Sequence, residues 1–400
     1  MTPSQPALTA AAPAGSRARF SPAIGYLRGF IVAMVVAHHA VLAYCPFVPA
    51  PPASLSTVPR AWEAFPIADA RRWAGFVPFV GFNDIFFMSL MFFLSGLFVW
   101  HGLEKKGGAR FLRDRLLRLG LPFAAMAAAV APLAYYATYL QASGRADLAG
   151  FLRQWLSLGH WPAGPGWFVW VLLGFDGLAA LLFAAAPRWG ETLGRMTSGA
   201  SRRPVVFFAA LAGISAMAYI PMALLFTPGS WTGFGPFVFQ TSRILHYLAY
   251  FQIGAGAGAW GVDRGLLARD GALARRWPLW AMAALVLFGA AEAPVVLGLA
   301  WPKWAADFGF VLSCAASSFA FLALFIRWAS GRFRWWDSLS ANSYAIFLLH
   351  YPCVSWLQYA LLPAALPAMV KGAAVFVGAL AASWGAAAAI RRIPAVARVV

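Results

Sequence analysis

The 400-residue sequence has little charge, few acidic residues and almost no cysteine. Charged residues make up 11% of the chain, and 13 acidic residues stand against 31 Lys and Arg. The three cysteines, Cys45, Cys314 and Cys353, lie in or beside apolar runs and lack the spacing of metal ligands. We therefore predict no disulfide framework, no redox motif and no metal site.

Apolar residues are abundant instead, at 62% of the chain, and the mean hydropathy is +0.69. Apolar runs long enough to cross a ~30 Å hydrocarbon core recur along the whole sequence. They predict an all-α, polytopic membrane protein with about ten transmembrane helices around a central polar cavity. The predicted spans are residues 24–45, 82–101, 119–140, 166–187, 205–227, 243–261, 278–299, 305–327, 341–361 and 368–390.

The basic residues alternate from one connection to the next. Of the 31 Lys and Arg residues, 23 lie in segments 1–28, 102–118, 188–204, 262–277, 327–340 and 391–400. The positive-inside rule therefore predicts that both termini are cytoplasmic in a multi-pass protein of a bacterial-type inner (plasma) membrane. Topology explains most of the net charge of +18, so no nucleic-acid partner is needed.

Three regions follow from this pattern. Residues 1–22 are Ala- and Pro-rich without a signal-peptide core, and they predict a disordered cytoplasmic tail. Residues 23–390 form the predicted transmembrane domain, whose first run is a retained anchor. Residues 391–400 are predicted to be a second cytoplasmic tail.

The first predicted span combines Arg28 with two adjacent histidines, His38 and His39. At about 1.5 Å and 100° per residue, His39 lies about 16 Å from Arg28 along the axis and within about 20° of its direction. His38 is turned from Arg28 by about 80°. An ionisable group near the membrane midplane indicates function, so we predict that Arg28 and His39 face a polar cavity. The alternative is a packing histidine bonded to a neighbouring helix.

Four further polar residues lie within predicted spans. His350, about 12 Å inward from Asn342, reaches a depth close to that of His39 and favours a shared cavity. Asp176 is near mid-depth, as a cavity residue or a structural polar contact. Arg243 and His246, near the outer surface, are candidates for contacting an acceptor, or simply interfacial anchors.

The densest basic cluster, ARFLRDRLLRLGLPF, precedes the third predicted span. Arg115 and Arg118 are one turn apart there, on what we predict is a short helix entering the span at Pro122. Paired guanidinium groups suit phosphate. The alternative is a topogenic cluster on anionic lipid headgroups.

Five motifs in this order resemble those of the acyltransferase-3 family, and the chain is most similar to the branch of the glucan-biosynthesis protein C succinyltransferases. They are Arg28 with ten residues before His39, FFLSG at 92–96, RLLR at 115–118 with Pro122, GWFVWVLL at 166–173 and SYAIFLLHYP at 343–352. The resemblance covers about residues 22–390.

The resemblance implies a membrane enzyme that moves acetyl or succinyl groups from cytoplasmic acyl-CoA, a co-substrate rather than a bound cofactor, to an envelope carbohydrate or glycolipid. It implies that His39 is catalytic and that Arg28 is required with it. Arg115, Arg118 and Ser95 are then expected to bind the donor. His350, Asp176, Arg243 and His246 are expected at the acceptor or cavity, and lipids surround the helices.

Two other functions fit parts of the sequence. A proton-coupled transporter would use His39, His350 and Asp176 as a relay. A noncatalytic exporter or scaffold would tolerate loss of His39. Neutral imidazole suits acyl transfer either as a base or as a nucleophile, and the residues alone leave both open.

Overall fold

The computed structural model describes residues 22–199, 202–329 and 331–400, except for the side chains of residues 295 and 296. The predicted tail of residues 1–22 lies outside these ranges apart from Pro22, which begins the first helix.

The described residues form helices almost throughout, with one two-stranded antiparallel hairpin. The helices are α1 (Pro22–Leu42), α2 (Phe76–Gly96), α3 (Val99–Lys106), α4 (Gly108–Arg115), α5 (Leu121–Ala125), α6 (Ala131–Ser143), α7 (Leu148–Ser157), α8 (Trp167–Ala185), α9 (Trp189–Ser198), α10 (Pro204–Phe226), α11 (Ile244–Trp260), α12 (Ala272–Arg275), α13 (Trp277–Leu297), α14 (Lys303–Trp328), α15 (Arg334–Ala360), α16 (Ala368–Ile390) and α17 (Pro394–Ala397). The hairpin pairs β1 (Trp231–Phe234) with β2 (Phe237–Gln240).

Each of the ten predicted spans coincides with a helix, and eight of these helical segments are long and apolar enough to cross a membrane. The other two spans coincide with α11, which has 17 residues, and α15, whose first half contains Ser, Asn and Arg. The predicted all-α polytopic class is therefore confirmed.

The third span differs from its prediction in one respect. In place of a separate short helix that enters the span at Pro122, the chain is helical from Gly108 to Ser143, with π-helical turns at Leu116–Gly120 and Met126–Val130. Pro122 has no N–H to offer the carbonyl of Arg118 four residues earlier. That carbonyl instead accepts the Tyr344 hydroxyl of α15 at 2.7 Å.

Helix α1 lies in the middle of the bundle and contacts α2, α14, α15 and α16. Small residues let the neighbouring backbones approach, as is usual in membrane proteins. On α2, a Cβ at Gly96 would collide with the carbonyl oxygen of Phe251 on α11. In return, Cβ atoms at Gly254 and Gly258 would collide with carbonyl oxygens of α2 and the residue that follows it. The backbones of α2 and α11 therefore approach closely at these glycines.

The basic-rich segments meet at one end of the bundle, here called the basic end. Arg28 donates to the Ser340 carbonyl at 3.4 Å, and Arg391 donates to the Asn342 side chain at 3.0 Å and to the Ala341 carbonyl. Residues 391–400, predicted as a tail, include the short helix α17, whose neighbours Arg398 and Val399 lie beside Arg118.

The opposite end, here called the loop end, carries residues 43–75, α7 and the β1–β2 hairpin. A buried ion pair fastens the loop to α16, since Lys371 Nζ lies 2.6 Å from Asp69 Oδ2 and both side chains are almost fully buried. The Asp69 amide also donates to the Ala43 carbonyl just after α1. The loop is therefore a packed part of the fold that covers the bundle.

Candidate active site

A cavity of about 630 Å³ extends from the loop end along the last part of α1, as far as Val35. Its volume falls within the roughly 300–1,000 Å³ of small-molecule sites. Its walls come from α1, α2, α6, α11, α13, α15, the start of α8, the hairpin and the loop. The described lining residues with polar or aromatic side chains are His38, His39, Phe47, Arg60, Glu63, Phe65, Asp84, Phe87, Tyr135, Trp167, Trp231, Gln240, Tyr247, Glu292, Phe347 and Tyr351.

His39 lies at the inner part of this cavity, against His350 of α15. The Nδ1 atom of His39 is 2.9 Å from the Val35 carbonyl, and Nδ1 of His350 is 2.7 Å from the Phe347 carbonyl. Carbonyl oxygens only accept, so both Nδ1 atoms carry the proton. His350 Nε2, which then has a lone pair, is 3.4 Å from His39 Nδ1.

This arrangement selects the tautomer of His39. With its proton held at Nδ1, the imidazole has its lone pair at Nε2, the atom that can act as a base or nucleophile. Among the described residues His39 Nε2 makes no hydrogen bond, and the side chain lines the cavity. Gln358 of α15 holds the local backbone by donating to the His39 carbonyl at 2.9 Å.

His38 also lines the cavity, although the helical face predicts that it turns away. Its ring packs on Phe87 with centroids 5.3 Å apart, and it is close enough to Asp84 for a charge interaction. The reason is that α2 packs beside α1, so the cavity spans two faces of α1. His38 nevertheless sits against an aromatic wall, and 9% of its surface is exposed.

None of the four residues predicted at the acceptor or cavity lines it, which differs from their predicted placement. His350 is fully buried against His39. Asp176 is fully buried on α8, with Oδ2 3.2 Å from Arg115 Nε. Arg243 is behind the wall, bonded to Asp84. His246 is buried between Ser89 and Cys314. Burying an isolated ionisable group costs free energy, and each of these side chains contacts a polar or charged partner inside the packed protein. The transporter relay through Asp176 is therefore not assembled.

Arg28, which was predicted to face the cavity with His39, lies outside the described cavity wall, as do the residues expected to bind the donor. Arg28 and Arg118 have exposed side chains at the basic end. Arg115 neutralises Asp176 and stacks over Phe111. The Ser95 hydroxyl donates to the Met91 carbonyl of its own helix at 2.8 Å. The structure therefore separates the histidine pair from these predicted donor residues.

Sequence reasoning missed the polar residues at the loop end of the cavity. Glu63 accepts from His160 Nε2 at 2.8 Å, and Arg60 contacts His160 Nδ1 at 2.8 Å. The Tyr135 hydroxyl donates to the Glu63 carbonyl at 2.7 Å. The only sequence signal was the aromatic run of the long loop, because these partners are far apart in the chain. The described residues contain no cluster of His, Cys, Asp and Glu that could hold a metal ion.

Comparison with known proteins identifies the family of this chain. Residues 21–388 match the acyltransferase-3 family, whose matching region is described as an acyltransferase domain. Neither the curated proteins nor the solved structures gave a match. Because the family match covers most of the sequence, the chain belongs to the acyltransferase-3 family and is a multi-pass membrane enzyme that transfers acyl groups other than aminoacyl groups.

Proposed function

We propose that the protein transfers an acetyl or succinyl group from cytoplasmic acyl-CoA to a hydroxyl of an envelope carbohydrate or glycolipid, as in the glucan-biosynthesis protein C-like branch. The observation that carries this proposal is the orientation of His39. Its Nε2 is left available in a cavity that reaches the loop end, while Nδ1 is held by Val35 and faces His350.

The proposed chemistry follows from that orientation. His39 Nε2 takes the proton of the acceptor hydroxyl as its oxygen attacks the thioester carbonyl, and the imidazolium returns a proton to the departing thiolate. The Val35 carbonyl stabilises the imidazolium through Nδ1–H. In the alternative sequence Nε2 attacks the thioester carbonyl, expels the CoA thiolate and carries the acyl group. The acceptor oxygen then attacks the acyl carbon, the bond to Nε2 breaks, and the hydroxyl proton passes to the thiolate.

The direct experiment is an assay with the purified full-length protein, labelled acetyl- and succinyl-CoA and a panel of envelope glycans. We expect label to appear in a glycan as a base-labile ester, with one equivalent of free CoA released. Failure to acylate any hydroxyl in the panel, with the enzyme folded and donor-bound, would contradict the proposed reaction.

We propose that both termini are cytoplasmic, so that the basic end faces the donor and the loop end faces outward. Reporter fusions after residues 60 and 195 are expected to report outside and inside respectively, because residue 60 is at the loop end and residue 195 belongs to a basic-rich segment. Fusions that place both residues on the same side would refute this topology.

Arg115 and Arg118, at the basic end, are proposed to hold the donor phosphates. Arg118→Ala is expected to weaken acyl-CoA binding about 10- to 150-fold, corresponding to about 1.5–3 kcal/mol for one charge-assisted contact. Arg115→Ala should weaken donor binding and also lower thermal stability, because it leaves buried Asp176 without its cation.

Titration of purified variants with acyl-CoA, together with thermal unfolding, separates the two effects. Arg113→Ala is the matched control, since Arg113 is exposed on the same helix. If Arg118→Ala and Arg115→Ala both bind the donor as tightly as the unaltered protein does, the basic cluster serves only to set the topology.

A further inference from the structure

The cavity contains a carboxylate beside the histidines that is held from behind. Arg243 donates to Asp84 Oδ2 at 2.7 Å and to the Asp84 main-chain carbonyl at 2.9 Å, while its guanidinium lies 4.6 Å from the centroid of the Phe310 ring. Arg243 is buried, but 48% of the Asp84 side chain is exposed, and Asp84 lines the cavity. The carboxylate is thus fixed and charge-compensated on one side and available on the other.

Glu63 repeats this arrangement at the loop end. Its Oε1 is bonded to His160, which Arg60 contacts in turn, while Arg60 also donates to the Leu158 carbonyl at 3.1 Å. The Glu63 side chain lines the cavity and is 25% exposed. Its backbone is held by the Tyr135 hydroxyl. Two oriented hydrogen-bond acceptors therefore flank the cavity, one deep and one near its outer part.

Aromatic rings form part of the wall that these carboxylates share. Trp167, which begins α8, meets Trp231 of β1 edge to face with centroids 5.5 Å apart, and both line the cavity. Trp231 is 48% exposed although it is large and apolar. Carboxylates that accept from hydroxyls, beside rings that pack on apolar C–H faces, are complementary to a sugar ring.

The charge of the cavity selects among sugars. Asp84, Glu63 and Glu292 line it, whereas Arg60 is the only Lys or Arg among its described lining residues and is already bonded to His160 and Leu158. An anionic sugar would be repelled at low dielectric, most strongly by Glu292, which has no cationic partner among the described residues. An amino sugar would find Asp84 and Glu63 already paired with cationic or polar partners.

From this arrangement we infer that the acceptor is a neutral glycosyl unit, bound between Asp84 and Glu63 and against Trp231, with one hydroxyl directed to His39. This inference rests on the proposed function and specifies its acceptor. Asp84 and Glu63 position the acceptor and exchange no proton with it.

The test uses the full-length enzyme in lipid nanodiscs with saturating acyl-CoA and three trisaccharides, namely neutral maltotriose, anionic trigalacturonate and cationic triglucosamine. We expect kcat/KM for maltotriose to exceed that for each charged sugar at least tenfold. Glu63→Ala and Trp231→Ala should each raise the KM for maltotriose about tenfold and leave the KM for acyl-CoA unchanged. Glu191→Ala, at an exposed acid outside the cavity, is the matched control.

A gain of function sharpens the test. Glu63→Lys should lower kcat/KM for maltotriose and raise kcat/KM for trigalacturonate, because the carboxylate near the outer part of the cavity is replaced by a cation. Preference of the unaltered enzyme for a charged trisaccharide, or a maltotriose KM unchanged in both alanine variants, would overturn the inference while leaving acyl transfer established.

A binding measurement separates this inference from the proposed function. If the enzyme acylates none of the three sugars, saturation-transfer NMR with maltotriose decides the matter without catalysis. Maltotriose binding that is lost in Glu63→Ala and Trp231→Ala but kept in Glu191→Ala supports the inferred binding site for the acceptor sugar. Absence of maltotriose binding to the unaltered protein refutes it.

Discussion

Replacing His39 with alanine is expected to remove acyl transfer almost entirely while the protein still folds and binds acyl-CoA. His39 is the cavity residue whose Nε2 is left free by a fixed Nδ1–H, and no second group in the described site is oriented in this way. Loss of general acid–base assistance typically costs about 10²–10⁴ in rate. A larger loss is expected if His39 also carries the acyl group.

His38→Ala is the matched control, because it removes the same side chain one residue away. We expect it to keep substantial activity, since His38 packs on Phe87 and makes no contact with His350 among those described. Single-turnover transfer by both purified variants tests the contrast. Mass spectrometry of the unaltered enzyme, mixed with donor in the absence of acceptor, tests for acylated His39.

The reverse result, an active His39→Ala enzyme with an inactive His38→Ala enzyme, would transfer the catalytic role to His38. Its environment beside Asp84 would then become the centre of the mechanism. Transfer that survives in both variants would remove the catalytic-histidine mechanism altogether.

The largest effect on stability is expected at Lys371. This side chain is fully buried on α16, 2.6 Å from Asp69, which is itself 2% exposed. Lys371→Met leaves a buried carboxylate without its cation, and breaking such a pair typically costs about 3–5 kcal/mol. We expect a large drop in the temperature of thermal unfolding, together with weaker acceptor binding, because the loop that carries Glu63 is no longer fastened.

Two further variants show whether the ion pair is the cause. Lys105→Ala removes an exposed lysine at the other end of the bundle and should change stability little. The double replacement Lys371→Met with Asp69→Leu should recover most of the loss, since a buried pair exchanged for apolar residues is often neutral. A double variant as unstable as Lys371→Met would show that packing around α16, rather than the unpaired charge, explains the loss.

The sequence by itself determined the class of the molecule. Apolar run length depends on local composition and membrane thickness, so all ten predicted spans coincide with helices. The position of the basic residues between the apolar runs is also a property of the local sequence, and in the structure Arg28, Arg118 and Arg391 lie at one end of the bundle. The family motifs agreed with the match over residues 21–388.

Only the tertiary structure decided which polar groups meet. His39 and His350 are 311 positions apart, and their equal depth left open whether α1 and α15 face each other. The sequence allowed Asp176 to face the cavity, but in the structure α4 places Arg115 beside it. Glu63, His160 and Asp84 carry no periodic signal that connects them.

The physical reason is the difference in range between the two kinds of information. Helical period and hydropathy are properties of consecutive residues, so they fix an element and the direction of each side chain about its axis. Which face meets which neighbour depends on close packing between elements distant in sequence, such as the glycine contacts of α2 with α11. The cavity and the partners of its charged groups exist only after that packing is complete.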